Sequence, residues 1–296
     1  MLRVTRVLAP NPSVFTLEGT NTWIAGDGPV VVIDPGPDDP AHLEEVASTA
    51  KAAGPVAAVA VTHDHPDHAP GAVAFAAMVA APLFAFRLAG AEHVRDGQRL
   101  PVPGMDIVAI HTPGHTRDHV AFHVPRERAL FTGDAVLGRG TSFIDPPDGD
   151  LAQYLRSLAV MQDLKPRTIY PGHGPVVLDA ERTLQEYVDH RAEREAQVVA
   201  AVAGDGATVK AMVATIYADY PAEVHELAAR SVLAHLLKLE SEGRVQKRGR
   251  GKDPVWSAAE PRACERCGRP VKGRGRYCPT CSLVILQEGA TAEPGA

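Results

Sequence analysis

Residues 62–68 read Thr-His-Asp-His-Pro-Asp-His and follow directly on the apolar run Pro55–Val61. Three imidazoles and the Asp67 carboxylate are thereby packed into six residues at the end of a strand that belongs in a core. Imidazole and carboxylate together suit Zn, Mn or Fe, and several donors on one loop lower the ordering cost of assembling a site. His63 and His65 lie two apart, so an extended backbone points both the same way. Asp67 and His68 fall where the chain turns toward the next helix and can face a second ion nearby.

The surrounding pattern is that of a layered α/β chain. Pro29–Asp34 reads as a buried strand, and Leu43, Val46, Ala47 and Ala50 then repeat at helical spacing. Ala69–Phe86 is uncharged over a length close to a membrane span. It holds Pro70, Gly71 and Pro82, so a buried helix followed by a buried strand is expected, and no membrane span. Met105–His111, His119–Val124 and Ala129–Thr132 read as strands, the last two joined by a turn at Pro125–Arg128. Tyr154, Leu155, Leu158 and Met161 predict an amphipathic helix from Leu151. Residues 179–203 are predicted helical up to the break at Gly204-Asp205-Gly206.

Three further polar residues stand beside glycine at predicted strand ends: His115 in Pro-Gly-His-Thr, Asp134 in Thr-Gly-Asp and His173 in Pro-Gly-His-Gly-Pro. Glycine there permits tight turns and close backbone approach. An isolated histidine is more often a structural hydrogen-bonding residue than a ligand, but these three follow the 62–68 cluster in order along an α/β chain.

With that set in place, the sequence resembles the metallo-β-lactamase superfamily over residues 1 to about 203. The resemblance implies an αββα sandwich with metals at one edge between the sheets. It implies that His63, His65 and His115 hold one metal, that Asp67, His68 and His173 hold the other, and that Asp134 bridges both. A closer resemblance, carried by Gly-Thr-Asn-Thr-Trp at 19–23, His-Thr-Arg-Asp-His-Val at 115–120, residues 133–141 and Tyr-Pro-Gly-His-Gly-Pro-Val at 170–176, is to the β-lactamase-like endoribonuclease branch. Its members pair the metal domain with a C-terminal winged helix and include both RNA-cleaving enzymes and thioesterases.

Two close cations lower the pKa of a shared water and polarise the oxygen on which negative charge grows. The expected cofactors are therefore two Zn (or Mn or Fe) ions, with Asp67 and Asp134 as catalytic as well as metal-holding residues. No serine or cysteine nucleophile is expected. Asp34, Asp118 and His119 are candidates for orienting the ligands from behind; for Asp34, a turn cap before Pro35-Gly36 is an equal alternative. Asn21, Arg139, Thr141 and Ser142 are expected, from the resemblance, to line the substrate mouth. His42, His93, His190, His225 and His235 are read as surface or structural.

Beyond Gly206, residues 208–217 and 222–242 predict helices, with Val232, Leu233, Leu236 and Leu237 as a core face. Val245 and Val255-Trp256 flank the basic turn Lys-Arg-Gly-Arg-Gly-Lys, and helices followed by a basic hairpin suggest a winged helix. All four cysteines come later, as Cys264-x2-Cys267 and Cys278-x2-Cys281. This spacing predicts one structural Zn held by four thiolates, in a segment too small for a hydrophobic core. A disulfide pair and a rubredoxin-type iron are the alternatives. Four parts are expected: a catalytic domain (1–203), a winged-helix-like domain (204–258), a four-cysteine zinc-ribbon-like module (262–286) and a flexible tail (287–296).

Charge separates these parts. Residues 1–243 carry 19 Lys and Arg against 31 Asp and Glu, whereas residues 244–276 carry 11 against 3. Arg266, Arg269, Lys272, Arg274 and Arg276 surround the cysteines, as in a module that grips phosphates, although a solvated basic tail or a protein-docking ribbon fits the same charges. The charged N-terminus lacks the apolar stretch of a signal peptide, so a cytoplasmic enzyme is expected. The first functional reading is a phosphodiesterase acting on single-stranded RNA. A thioesterase or glyoxalase-like hydrolase of acyl thioesters is the second, and a DNA-binding regulator whose metal domain senses a ligand is the third. RNA or an acyl-thioester molecule is the expected partner, and a homodimer is one role open to the winged helix.

Overall fold

The computed structural model describes residues 2–249, 251, 253–260, 262–271, 275–278 and 280–282. Arg250 and Lys252 of the basic turn, Lys272 and Arg274 of the cysteine segment, residues 283–286 of the expected ribbon and the 287–296 tail lie outside the described residues. The chain forms two compact units, residues 1–191 and 192–296.

In the first unit, β1 (Val4–Leu8), β2 (Asn21–Ala25), β3 (Val30–Ile33), α1 (Pro40–Ala53), β4 (Val56–Ala60), α2 (Ala72–Val79), β5 (Leu83–Ala85) and β6 (Glu92–His93) come first. They are followed by β7 (Val108–His111), β8 (Val120–Val124), β9 (Ala129–Gly133), α3 (Leu151–Asp163), β10 (Thr168–Pro171) and α4 (Ala180–Ala201), whose last turns belong to the second unit. The six strands β1 to β6 make one sheet in sequence order, antiparallel from β1 to β3 and parallel from β3 onward. The second sheet has the order β10-β9-β8-β7, with β10 parallel to β9 and the other pairs antiparallel.

Alternation along β3 shows how the layers are made. Val31 and Ile33 pack with Phe122 and Phe131 of the second sheet, while Val30 and Val32 pack on the other face with Leu43 and Val46 of α1 and Phe75 of α2. Because successive side chains leave opposite faces, a run of four apolar residues can serve both layers only as a strand buried on both sides. Asp39 caps α1 by accepting from the N–H groups of Ala41 and His42, and Asp150 caps α3 through Gln153 N–H. On α3, Tyr154, Leu158 and Met161 are buried as their spacing predicts, and the Tyr154 hydroxyl donates to the Ala135 carbonyl at 2.7 Å.

In the second unit, β11 (Ala207–Thr208), α5 (Val209–Ile216), α6 (His225–Ser241), β12 (Val245–Arg248) and β13 (Val255–Ala258) form a helical pair with a three-stranded sheet ordered β11-β13-β12. Its core joins Val198 of α4 and Val202 just beyond it to Met212, Val232, Leu236, Leu239 and Trp256. The compact units part inside α4, at 191/192. One member of the expected α6 face is corrected: Leu237 is 39% exposed, and Leu239 occupies the core instead. The reason is helical phase, since Leu239 lies three residues beyond Leu236 and seven beyond Val232. The last two strands, β14 (Arg262–Ala263) and β15 (Pro270–Val271), pair antiparallel beside the cysteines. No helix among the described residues is long and apolar enough to cross a membrane.

Candidate metal centre

The strand ends deliver the site. The 63–68 loop follows β4, His115 follows the turn after β7, Asp134 comes directly after β9, and His173 comes two residues after β10. Two glycines make the approach possible. Gly133 holds φ 46°, and a Cβ there would sit 2.5 Å from Thr62 Oγ1; a Cβ on Gly172 would sit 2.4 Å from Asp134 Oδ1.

The side chains converge as two clusters. His63, His65, His115 and Asp134 bring one potential ligand atom each within 4.8 Å of one another, and so do Asp67, His68 and His173. His115 Nε2 lies 3.2 Å from His65 Nδ1. In the second cluster His68 Nε2 and His173 Nε2 are 3.3 Å apart, and Asp67 Oδ2 is 3.3 and 3.1 Å from them. Nitrogens at about 2.05 Å from a tetrahedral ion stand roughly 3.3 Å from one another. Asp134 turns Oδ2 toward His115 Nε2 at 3.7 Å and Oδ1 toward His68 and His173 at 3.4 and 3.3 Å, one oxygen to each cluster.

The outward ring nitrogens are tied to acceptors. His68 Nδ1 is 2.9 Å from Asp34 Oδ2, His115 Nδ1 is 2.8 Å from the Phe143 carbonyl, and His173 Nδ1 is 3.1 Å from the Gly19 carbonyl. His63 Nδ1 meets Thr62 Oγ1 at 3.0 Å, and that hydroxyl donates onward to Asp34 Oδ2 at 2.8 Å. An Nδ1–H used outward leaves the Nε2 lone pair facing inward, the tautomer a metal ligand needs. Consistent with this, the buried His63 Nε2 and Asp134 Oδ1 have no hydrogen-bond partner of acceptable geometry.

Electrostatics point the same way. Burial pushes the His68 imidazole down, but Asp134, Asp34 and Asp67 overcome it and hold its pKa well above the usual histidine value. His173 likewise overcomes its burial and rises to about 9, chiefly through Asp134. Burial pushes the Asp134 carboxyl up, yet His68 and His173 hold it well below the carboxylate range. His63 is driven well below the usual value, first by burial and then by His68, and His115 is lowered mainly by burial. The carboxylates thus create a field that demands positive charge at the second cluster, while burial favours neutral imidazoles at His63 and His115 in the first. The donor chemistry, the spacing and the orphaned atoms fit a pair of divalent cations.

The supporting residues divide. Asp34 orients His68 directly and also accepts from the Thr62 N–H at 2.7 Å, so it does more than cap a turn. Asp118 accepts from the Asp64 N–H at 3.1 Å and holds the loop between His63 and His65 rather than an imidazole. His119 is buried, with Nδ1 2.9 Å from Thr112 Oγ1 and its ring 5.2 Å from that of His63. Asn21 is corrected: it is fully buried and donates to the Pro171 and Gly174 carbonyls, bracing the His173 loop from beneath. Ser142 is also corrected from the mouth to the rear of His115; it is 2% exposed, with Oγ 3.4 Å from His115 Nδ1. Its carbonyl accepts from the buried Arg191 guanidinium, which also lies over the Tyr154 ring. Arg139 and Thr141 are exposed, and Arg139 pairs with Glu18 at 2.7 Å.

Residues 9–20 were missing from the sequence-derived set. Thr20 Oγ1 is 3.3 Å from Asp67 Oδ2, Gly19 supplies the carbonyl facing His173, and the Phe15 ring lies 6.2 Å from Phe143, whose carbonyl holds His115. The loop therefore reaches from one cluster to the other. Val14 and Phe15 on it are 82% and 53% exposed. The carbonyls of Gly19 and Phe143 carry no residue signature, whereas Thr62 lies inside the 62–68 motif and Thr20 inside Gly-Thr-Asn-Thr-Trp at 19–23.

Residues 15–103 and 94–173 match the family described as the metallo-beta-lactamase superfamily, and residues 208–253 match the beta-lactamase associated winged helix domain. The chain belongs to the metallo-beta-lactamase superfamily. It is 36% identical over 258 residues to the atrochrysone carboxyl ACP thioesterase of Aspergillus chevalieri, covering 82% of each chain. It is 34% identical over 268 residues to a beta-lactamase-like protein 2 homolog of Drosophila melanogaster, covering 82% of this chain and 89% of that one. In fold it is similar to a beta-lactamase domain protein from Burkholderia ambifaria, with a TM-score of 0.75, 20% identity and coverage of 87% and 91%. The protein is thus a superfamily hydrolase with a metallo-hydrolase fold, a C-terminal winged helix and a four-cysteine cluster.

Proposed function

We propose that this superfamily member is a binuclear metal-dependent hydrolase of acyl thioesters. The observation that carries the substrate class is the apolar loop that joins the two clusters. Val14 and Phe15 offer exposed hydrocarbon on the loop whose Thr20 meets Asp67 and whose Phe15 ring lies 6.2 Å from that of Phe143, and an acyl chain laid on it would shed water. Of the two arginines closest along the chain to His115 and Asp134, Arg139 is engaged by Glu18 at 2.7 Å and Arg117 lies 3.7 Å from Asp148, which leaves a polyphosphate backbone poorly served there. The thioesterase named among the relatives supports the same reading.

His63, His65 and His115 would hold one cation, Asp67, His68 and His173 the other, and Asp134 both through its two oxygens. When bound, the cations supply an activated water and polarise the carbonyl that it attacks. Asp34 and the Phe143 and Gly19 carbonyls keep the imidazole lone pairs aimed inward, so the donor set is ordered before any cation arrives.

Single-stranded RNA is the second reading, and the exposed Lys247, Arg248 and Arg269 of the second unit favour it. The deciding experiment offers purified, metal-loaded protein both acyl-carrier thioesters and single-stranded oligoribonucleotides. Thiol release that disappears in His63→Ala and Asp67→Ala supports the proposal. RNA cleavage with no thioester turnover would replace it.

A further inference from the structure

The four cysteines are distant in sequence from every residue of the His and Asp clusters, and their geometry is that of a second metal site. Their sulfur atoms all lie within 4.8 Å of one another, and none is in a disulfide. Cys267 Sγ and Cys278 Sγ are 3.6 Å apart. Thiolates at 2.3 Å from a tetrahedral zinc stand about 3.8 Å from one another, whereas bonded sulfurs lie at roughly 2.05 Å.

The backbone is shaped around the same point. Cys264 N–H donates to the Arg269 carbonyl and Gly268 N–H to the Cys264 carbonyl, each at 2.8 Å, closing a tight knuckle between the first two cysteines. Ser282 N–H donates to the Cys278 carbonyl at 2.9 Å, turning the second pair in the same manner. Glu265 N–H donates to the Arg276 carbonyl at 3.0 Å, and the Arg276 guanidinium returns to the Glu265 carboxylate at 2.8 Å, which fastens one knuckle to the other.

Among the described residues, apolar packing around the cysteines is sparse. Cys264, Cys278 and Cys281 are buried at 2%, 5% and 9% exposure, yet among the described residues their apolar company is Val271 and the half-buried Tyr277. An isolated two-stranded ribbon is marginally stable at best in water.

We propose that Cys264, Cys267, Cys278 and Cys281 bind one zinc ion as a tetrathiolate, and that this ion holds the two cysteine knuckles together. The site is independent of the hydrolase reading and uses a different donor chemistry: thiolate sulfur selects a soft, closed tetrahedral ion, while the His and Asp clusters leave room for water. Metal binding and local folding are then one event.

Cobalt reconstitution of the full-length protein tests this, because thiolate ligands give an intense near-ultraviolet charge-transfer band that imidazole and carboxylate do not. The expected result is that band in wild type, and one zinc fewer per chain by native mass spectrometry in Cys278→Ser/Cys281→Ser, with metal retained at the His/Asp clusters. A His63→Ala/Asp67→Ala variant should keep the band. Absence of the band from wild type, iron in place of zinc as purified, or disulfides in protein prepared under reducing conditions would each overturn the proposal. Since the cobalt measurement is made on wild type, it stands even if the cysteine variant fails to fold.

Discussion

The His68 imidazole and the Asp34 carboxylate, both buried, meet at 2.9 Å across a sequence gap of 34 residues. Asp34 stands at the end of β3 with φ 51°, and its second oxygen takes the Thr62 N–H at the end of the neighbouring β4. One carboxylate thus joins two parallel strand ends and aims a ligand, so it couples the sheet to the site.

Replacing Asp34 by Asn removes the charge behind His68 while keeping the shape. Zinc affinity of the Asp67-His68-His173 cluster should fall by about 10- to 100-fold. Competition with a fluorescent chelator measures it, and unchanged affinity would show that Asp34 serves the turn alone.

Gly172→Ala should damage the site without touching a ligand. The added methyl meets Asp134 Oδ1 at 2.4 Å and His68 Cε1 at 2.8 Å, so both must retreat. A stability loss of about 1–3 kcal/mol is expected with incomplete metal loading. Denaturant titration and metal analysis together check it; full loading would mean that the loop yields freely.

If the exposed loop receives an acyl chain, Phe15→Ala should raise KM for long-chain thioesters by about tenfold, the equivalent of roughly 1.4 kcal/mol of lost apolar contact. A short acetyl thioester should be nearly unaffected. Equal effects on both chain lengths would place Phe15 in loop structure rather than in substrate contact.

In the second unit, Glu195 accepts from Lys238 Nζ at 2.6 Å and Arg244 Nη1 at 2.5 Å. Burial pushes its carboxyl up, but the two hydrogen bonds outweigh burial and hold it below the usual 4.5. A depressed carboxyl stabilises the fold above its unfolded value, and that contribution is lost as pH falls through the folded value. Glu195→Gln should therefore cost about 1–3 kcal/mol at neutral pH and progressively less below pH 4.5. Urea titrations in a Trp23→Phe background, with the buried Trp256 reporting, would show it; a pH-independent difference would contradict it.

Much of the catalytic unit was legible because its information is local. Three imidazoles and Asp67 within six residues identify their own chemistry, and apolar runs such as Val30–Ile33 can satisfy two layers only as buried strands. The paired cysteines were legible for the same reason. What the sequence left open was every assignment that depends on which strand end meets which. Asn21 looks like a mouth residue until β2 carries it beneath the His173 loop, and Asp34 stands open between orienting a ligand and capping a turn until β3 sets it behind His68. The carbonyls of Gly19 and Phe143 had no signal, since a backbone acceptor is common to all residues. Residue identity and spacing therefore determined the ligand types and the layer pattern, whereas orientation and support were decided only by tertiary pairing, because a hydrogen bond depends on distances between chain segments that sequence separation does not encode.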